Sequence, residues 1–352
     1  MVRILLVRLR LIGDVVFTTP LIRALRRSRP DAHLAYVVEP AAAPVLHGNP
    51  HLDELIVVPK RHGIRRVLDD AALMRRLRRN RFDIAIDLHG GPRAAWITRA
   101  SGAHMRIGYA ITGRSWMYTH VVPRSPDLTP RHSVVNQWDL LQPLGIGPCH
   151  PEQDPVEMTD DPRVSQRVAR RLTAMGAHAG TQVVVVHVSA GNPFRRWPEA
   201  SFRGLITALA RHDPTRRIVL TSGPSDADAA RRIAAAARSE LATLDSIPAI
   251  EDWDLTELRA LIARAAVYIG GDSGPLHIAS TTRTPIVELL GPTLAERSRP
   301  WRDPRLIDVM VESGPLPCRP CDQRRCAPGD FRCLTGISLE QVVAAAEQVL
   351  AT

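Results

Sequence analysis

Residues 2–27, VRILLVRLRLIGDVVFTTPLIRALRR, decide the fold. Residues 2–7 are apolar but for Arg3 and read as a strand buried on both faces. A Gly13-Asp14 pair follows, where the chain must turn. Thr18 and Thr19 can then cap a helix with Pro20 in its first turn, and Leu21, Ala24 and Leu25 give that helix an apolar face opposite Arg23, Arg26 and Arg27. A buried strand running into an amphipathic helix is the first half of a βαβ unit, and therefore of a parallel sheet covered on both faces.

The same rhythm continues with strands expected at 33–38, 54–58 and 82–88 and helices at 70–79 and 134–141. Residues 143–162, PLGIGPCHPEQDPVEMTDDP, are rich in Pro, Gly and acid and read as an interdomain linker. A second α/β series follows: strands at 183–188, 217–221, 267–269 and 285–290, and helices at 198–211, 225–238 and 255–265. The 352 residues make about twice an ordinary domain. The expected organisation is a first domain over 1–160, a second over 161–336 and a final helix within 337–352 packing back on the first. Two doubly wound α/β domains facing each other across a cleft is the implied architecture.

Composition narrows the partners. Lys and Arg number 46 against 36 Asp and Glu, a surplus of +10 that favours an acidic partner. Aromatic residues make only 4%, with no RNA-binding aromatic signature, which argues against nucleic acid. No apolar run approaches the roughly 20 residues of a membrane-spanning helix. The basic, apolar start resembles a signal peptide, but Arg8, Arg10 and Asp14 interrupt it, and it is read as the first strand of a cytoplasmic protein.

Three stretches then carry a resemblance. RLRLIGDVVFTTPLIRALRRSRPDA (8–32), HVSAGNPFRRWPEASF (187–202) and YIGGDSGPLHIASTTRTPIVELLGPT (268–293) resemble, in this order, the motifs of the glycosyltransferase family 9 heptosyltransferases. The resemblance implies a GT-B fold of two Rossmann-like domains, with the acceptor held mainly by the first and the nucleotide sugar by the second. It implies inverting transfer of heptose from ADP-heptose to the lipopolysaccharide inner core, at the inner face of the inner membrane, on an anionic lipid A/Kdo-type acceptor and without a required cofactor. A heptosyltransferase acting on an autotransporter protein, another nucleotide-sugar enzyme of this fold such as an epimerase, and a non-catalytic nucleotide-binding scaffold are the alternatives.

Site residues follow from position and from the resemblance together. Asp14 lies where open α/β sheets place their ligand crevice, and a carboxylate there can act as general base toward a sugar hydroxyl. A helix cap is its plain structural role; the family's base falls on it. Gly13 beside it would allow a tight turn and close substrate approach. Gly270-Gly271-Asp272-Ser273-Gly274 joins a strand to a helix, a setting that favours anions. Asp272, Ser273, Gly274 and His277 are thus donor-binding candidates, as against a capped turn and a packed histidine. Ser189 and Asp226 are further donor candidates. Arg195 stands where the family often has Lys, and would meet the charge of the leaving diphosphate. Lys60, Arg61 and Arg65 fall where the family binds its anionic acceptor; a solvated charge run is their plain reading. Cys318, Cys321, Cys326 and Cys333, spaced C-x2-C-x4-C-x6-C, are a candidate structural zinc or iron site, although the second pair departs from an ordinary zinc knuckle.

Overall fold

In the computed structural model, which describes residues 1–61, 63–126, 129–241, 246–247 and 250–352, every strand pairing is parallel. The chain divides into two units, Met1–Thr159 and Asp160–Thr352.

The first unit contains β1 (Arg3–Val7), α1 (Ile12–Val16), α2 (Thr19–Ser28), β2 (His33–Val38), β3 (Glu54–Val57), α3 (Gly63–Arg79), β4 (Ile84–Asp87), α4 (Pro92–Ala100), β5 (Met105–Tyr109), β6 (His120–Val122) and α5 (Ser133–Trp138). Its sheet runs β3-β2-β1-β4-β5-β6, so β1 sits centrally, as its apolar run predicts. Leu5 and Val7 point to the face covered by Leu73 and Leu77 of α3 and by Ala94 and Ile97 of α4. α3 begins seven residues before the expected start, and α4, β5 and β6 were not foreseen. β6 is three residues long with two exposed, too short to leave a period in the sequence.

The second unit contains α6 (Pro162–Ala174), β7 (Val183–His187), α7 (Glu199–His212), β8 (Arg217–Thr221), α8 (Ala227–Glu240), α9 (Leu255–Ile262), β9 (Val267–Gly271), α10 (Gly274–Ala279), β10 (Ile286–Leu289), α11 (Ala295–Ser298), β11 (Asp308–Val311), α12 (Arg332–Thr335) and α13 (Leu339–Leu350). The sheet order is β11-β10-β9-β7-β8. The valines of β7 alternate faces: Val184 and Val186 join one core layer, Val183 and Val185 the other.

Two expectations are corrected. The stretch read as an interdomain linker does contain the division between the units, but most of it is docked on the first: Val156 and Met158 are buried, Asp154 pairs with Arg27, and Glu157 pairs with Arg23 at 2.5 Å. Its prolines and acids signal a loop, but those acids have arginine partners on α2. The final helix, expected to pack back on the first domain, spends its apolar face in the second unit's own core. Val342, Ala346 and Val349 of α13 are buried there with α7 and β11.

Candidate functional site

The carboxyl edge of the first sheet gathers more than the sequence announced. β1 and β4 lie side by side with Val7 opposite Asp87, so Arg8, the residue after β1, comes beside residues about 80 positions away. Arg8 Nη2 contacts Asp14 Oδ2 at 2.5 Å, Nε donates to the carbonyl of Arg10 at 3.1 Å, and Nη1 donates to the carbonyl of Leu88. Burial alone would depress the Arg8 guanidinium, but Asp14 and the nearby Tyr36 and Tyr109 hydroxyls outweigh it and hold it above its ordinary value.

Asp14 lies in the first turn of α1, and its Oδ2 also accepts from the Leu11 amide at 3.5 Å. Its side chain remains 32% exposed. Gly13 does not make the tight turn expected of it: it is a buried residue inside α1, and the turn is made by the extended backbone of Leu11.

Behind this pair stands Asp87, fully buried, accepting from Tyr118 Oη at 2.6 Å and from the amides of His89 and Gly90 at 2.9 and 2.8 Å. Burial raises its carboxyl in spite of these bonds. Any side chain at Gly108 would collide with the Tyr118 ring, so glycine is required for that hydroxyl to reach Asp87. Burial, then the adjacent Arg8, push the His89 imidazole down to about 4. Arg8, Asp87, His89 and Tyr118 were all missed. Arg8 directly after a buried central strand was the one signal available.

In the second unit, Asp272 follows β9 and is 2% exposed. Its Oδ2 lies 3.0 Å from Arg195 Nη1 and accepts from Thr293 Oγ1 at 2.6 Å, while His277 Nε2 stands 3.6 Å from Oδ1. Burial pushes this carboxyl up; the His277 contact, then Arg195, then Thr293 pull harder and hold it at about 2. Arg195 is fixed twice more, by the Asp272 carbonyl at 3.3 Å and by Gln323 Oε1 at 2.7 Å. Gln323 Oε1 also accepts from Asn192. A Cβ on Gly271 would lie 3.2 Å from the Arg195 carbonyl, so this glycine lets the Arg195 loop close on the sheet edge. Ser273 caps α10 by position only, without a side-chain cap bond, and Gly274 opens the helix.

The two remaining donor candidates are brought together with each other. Ser189 Oγ donates to Asp226 Oδ2, and Arg196 Nη2 contacts Asp226 Oδ1 at 2.9 Å. Asp226 is 4% exposed and acts as the anchor of that pair of loops. Arg195 and Arg196 therefore turn to different carboxylates, Asp272 and Asp226. Glu288 on β10 is a further carboxyl that was missed. It is 2% exposed, and burial, with Asp272 and Asp308 nearby, pushes it well above the usual carboxylate range.

Two Asp-x-Asp triplets occur, 226–228 and 252–254. The structure uses them otherwise than as paired metal ligands: Asp228 pairs with Arg231, and Asp254 caps α9 through the amides of Thr256 and Glu257. Lys60, Arg61 and Arg65 are exposed at and before the start of α3, with Arg61 3.5 Å from Asp69. The four cysteines line one cavity of about 220 Å³ together with Phe194, Phe331 and Arg319. Burial and the neighbouring thiols of Cys318 and Cys326 raise the Cys333 thiol. Among the described residues no three His, Cys, Asp or Glu side chains are drawn together tightly enough to hold one metal ion. The four residues of the candidate zinc or iron site thus share a cavity wall. No helix among the described residues is long and apolar enough to cross a membrane.

Comparison with known proteins agrees with this architecture. The sequence profile of glycosyltransferase family 9 (heptosyltransferase) matches residues 71–330. The chain is 29% identical to lipopolysaccharide heptosyltransferase 3 of Escherichia coli over 97% of each protein. It superposes on the glycosyl transferase family 9 protein of Veillonella parvula with a TM-score of 0.83 at 23% identity, covering 99% of this chain and 97% of the other. For the ADP-heptose LPS heptosyltransferase II of E. coli the TM-score is 0.77 at 19% identity, covering 99% and 98%. These likenesses establish the two-domain GT-B fold.

Proposed function

The chain belongs to glycosyltransferase family 9, the heptosyltransferases, and from that premise we propose that it moves heptose from ADP-heptose, with inversion, onto a sugar hydroxyl of the lipopolysaccharide inner core. The observation that carries this is the Asp14 carboxylate at the carboxyl edge of the first sheet, held by Arg8 on one oxygen and still a third exposed. Asp14 takes the proton of the acceptor hydroxyl as that oxygen attacks the anomeric carbon. The bond from the anomeric carbon to the diphosphate oxygen breaks, and its electron pair leaves with ADP.

Arg195, aimed by Asp272 and Gln323, meets the charge on the departing diphosphate. Gly274 and Ser273 line the same strand-to-helix junction, and His277 acts through Asp272. Ser189 and Asp226 shape the adjoining loop. The acceptor is an anionic, lipid-anchored core, for which Lys60, Arg61 and Arg65 are the contacts, and the enzyme works in peripheral contact with the inner membrane.

The test is a turnover assay with ADP-heptose and a set of truncated, water-soluble cores. Release of ADP with appearance of a heptosylated core is the expected result. ADP release at the same rate without any core, or transfer to a protein instead, would overturn the assignment.

A further inference from the structure

α3 carries two apolar faces, and only one of them is used by the fold. Leu73 and Leu77 are buried against the sheet. Ile64, Val67 and Leu68, at the i, i+3, i+4 spacing of one helical face, are 77%, 65% and 61% exposed. At about 100° per residue this triad sits roughly 150° around the helix from Leu73 and Leu77, so it faces away from the core layer on which α3 packs. α3 also holds six arginines against two aspartates, and Arg75 continues the triad's face three turns on.

The neighbouring helix repeats the pattern. α4 packs beside α3 on the same face of the sheet, with Ala94 and Ile97 inward. Its Trp96 is 50% exposed and meets Trp116, 62% exposed, edge to face at 5.9 Å. Indole rings, part apolar and part hydrogen-bonding, favour the boundary between lipid and water. An exposed aliphatic triad on α3, and beside α4 a tryptophan pair whose second member lies in the β5–β6 connection, flanked by Arg65, Arg75 and Arg99, match in chemistry an anionic bilayer, which takes the apolar groups below its headgroups and the cations at their phosphates.

We propose that the outer surface of α3 and α4, through Ile64, Val67, Leu68, Trp96 and Trp116, docks the protein on an anionic phospholipid bilayer. This deepens the membrane contact suggested above by naming its surface, and it does not depend on which sugar is transferred. The apolar groups enter the boundary region of one leaflet while the arginines hold phosphates. The contact therefore weakens with salt but survives it in part.

The experiment is co-sedimentation of the full chain with phosphatidylcholine vesicles and with vesicles containing phosphatidylglycerol. It compares the wild type with Ile64→Ser/Val67→Ser/Leu68→Ser and with Trp96→Ala/Trp116→Ala, each checked by thermal melting. Expected are binding to the anionic vesicles only, at least a tenfold lower partition coefficient for the triple serine variant, a smaller loss for the tryptophan variant, and unchanged transfer to a water-soluble core by the triple variant. A folded triple variant that binds anionic vesicles like the wild type would overturn the docking face. So would wild-type binding that appears only when the vesicles carry a phosphorylated glycolipid, which is acceptor recognition. A wild-type dimer that the triple substitution dissociates, without vesicle binding, would assign the face to a second copy. Loss of transfer to the soluble core in every form of the protein, with vesicle binding intact, would instead remove the proposed reaction and leave the docking face standing.

Discussion

Each unit ends its central strands in an arginine paired with an aspartate, and the two pairs are built in opposite ways. In the first unit the arginine is the buried member: Arg8 is 11% exposed and Asp14 32%. In the second unit the carboxylate is buried: Asp272 is 2% exposed and Arg195 28%. The group left toward solvent is an acceptor of protons in one case and a donor of hydrogen bonds in the other. Under the reaction proposed above, that division would put a base toward the acceptor hydroxyl and a cation toward the leaving diphosphate. The buried partner in each pair fixes the exposed one, and damage to it should appear as lost stability before lost chemistry.

The largest effect should come from Asp14→Asn. The amide keeps the size and still accepts from Arg8, but it cannot take a proton, so kcat should fall about 10² to 10⁴-fold. The pair is partly solvated, so stability should change by less than about 1 kcal/mol. Saturating-acceptor kinetics and a urea melt check both halves, and near-normal turnover would end the role of Asp14 as base.

Asp272→Asn should behave in the reverse order. Removing a carboxylate that holds Arg195, His277 and Thr293 in a buried site should cost roughly 3 kcal/mol of stability. Donor affinity should fall as a consequence, because Arg195 loses its aim. Full stability with lost donor binding would make Asp272 a direct ligand and break the comparison between the two pairs.

The sequence pointed to Asp14 alone in the first pair and to both Arg195 and Asp272 in the second, and to little of what holds them. Asp14 and Asp272 both follow a continuous apolar strand and precede a helix, a local pattern that can be read without the fold. Arg195 was legible only through the family resemblance, by its place two residues before Trp197-Pro198. What fixes them was not: the Leu88 carbonyl reaches Arg8 through the β1–β4 register, and Gln323 reaches Arg195 across 128 residues. Sheet register and loop return carry no period in the sequence. The same holds for β11, an edge strand with Asp308 and Met310 exposed, whose pattern resembles a loop until it is seen paired with β10. α13 shows the complementary error. Its apolar face was legible, but an apolar face does not state which core it will enter.

The finest test of the comparison lies beside Asp272. Glu288 is as buried as its neighbour yet shifted the other way: burial, then the Asp272 charge, keep its carboxyl protonated well above the usual range. Two carboxyls share one environment, and the arginine, histidine and threonine contacts go to only one of them. The sign follows from linkage. A carboxyl whose folded pKa is raised binds its proton more tightly in the folded state, so its contribution is intact at low pH and is lost as pH rises from the unfolded value of about 4.5 toward the folded one. Glu288→Gln, neutral at every pH and of the same shape, removes that loss. Urea melts at pH 5 and pH 8 should therefore show little difference from the wild type at the lower pH and a gain on the order of 1 kcal/mol at the higher. Should the variant be less stable at pH 8, Glu288 must be ionised and partnered in the folded state, and the second unit would hold two working carboxylates where only Asp272 is assigned.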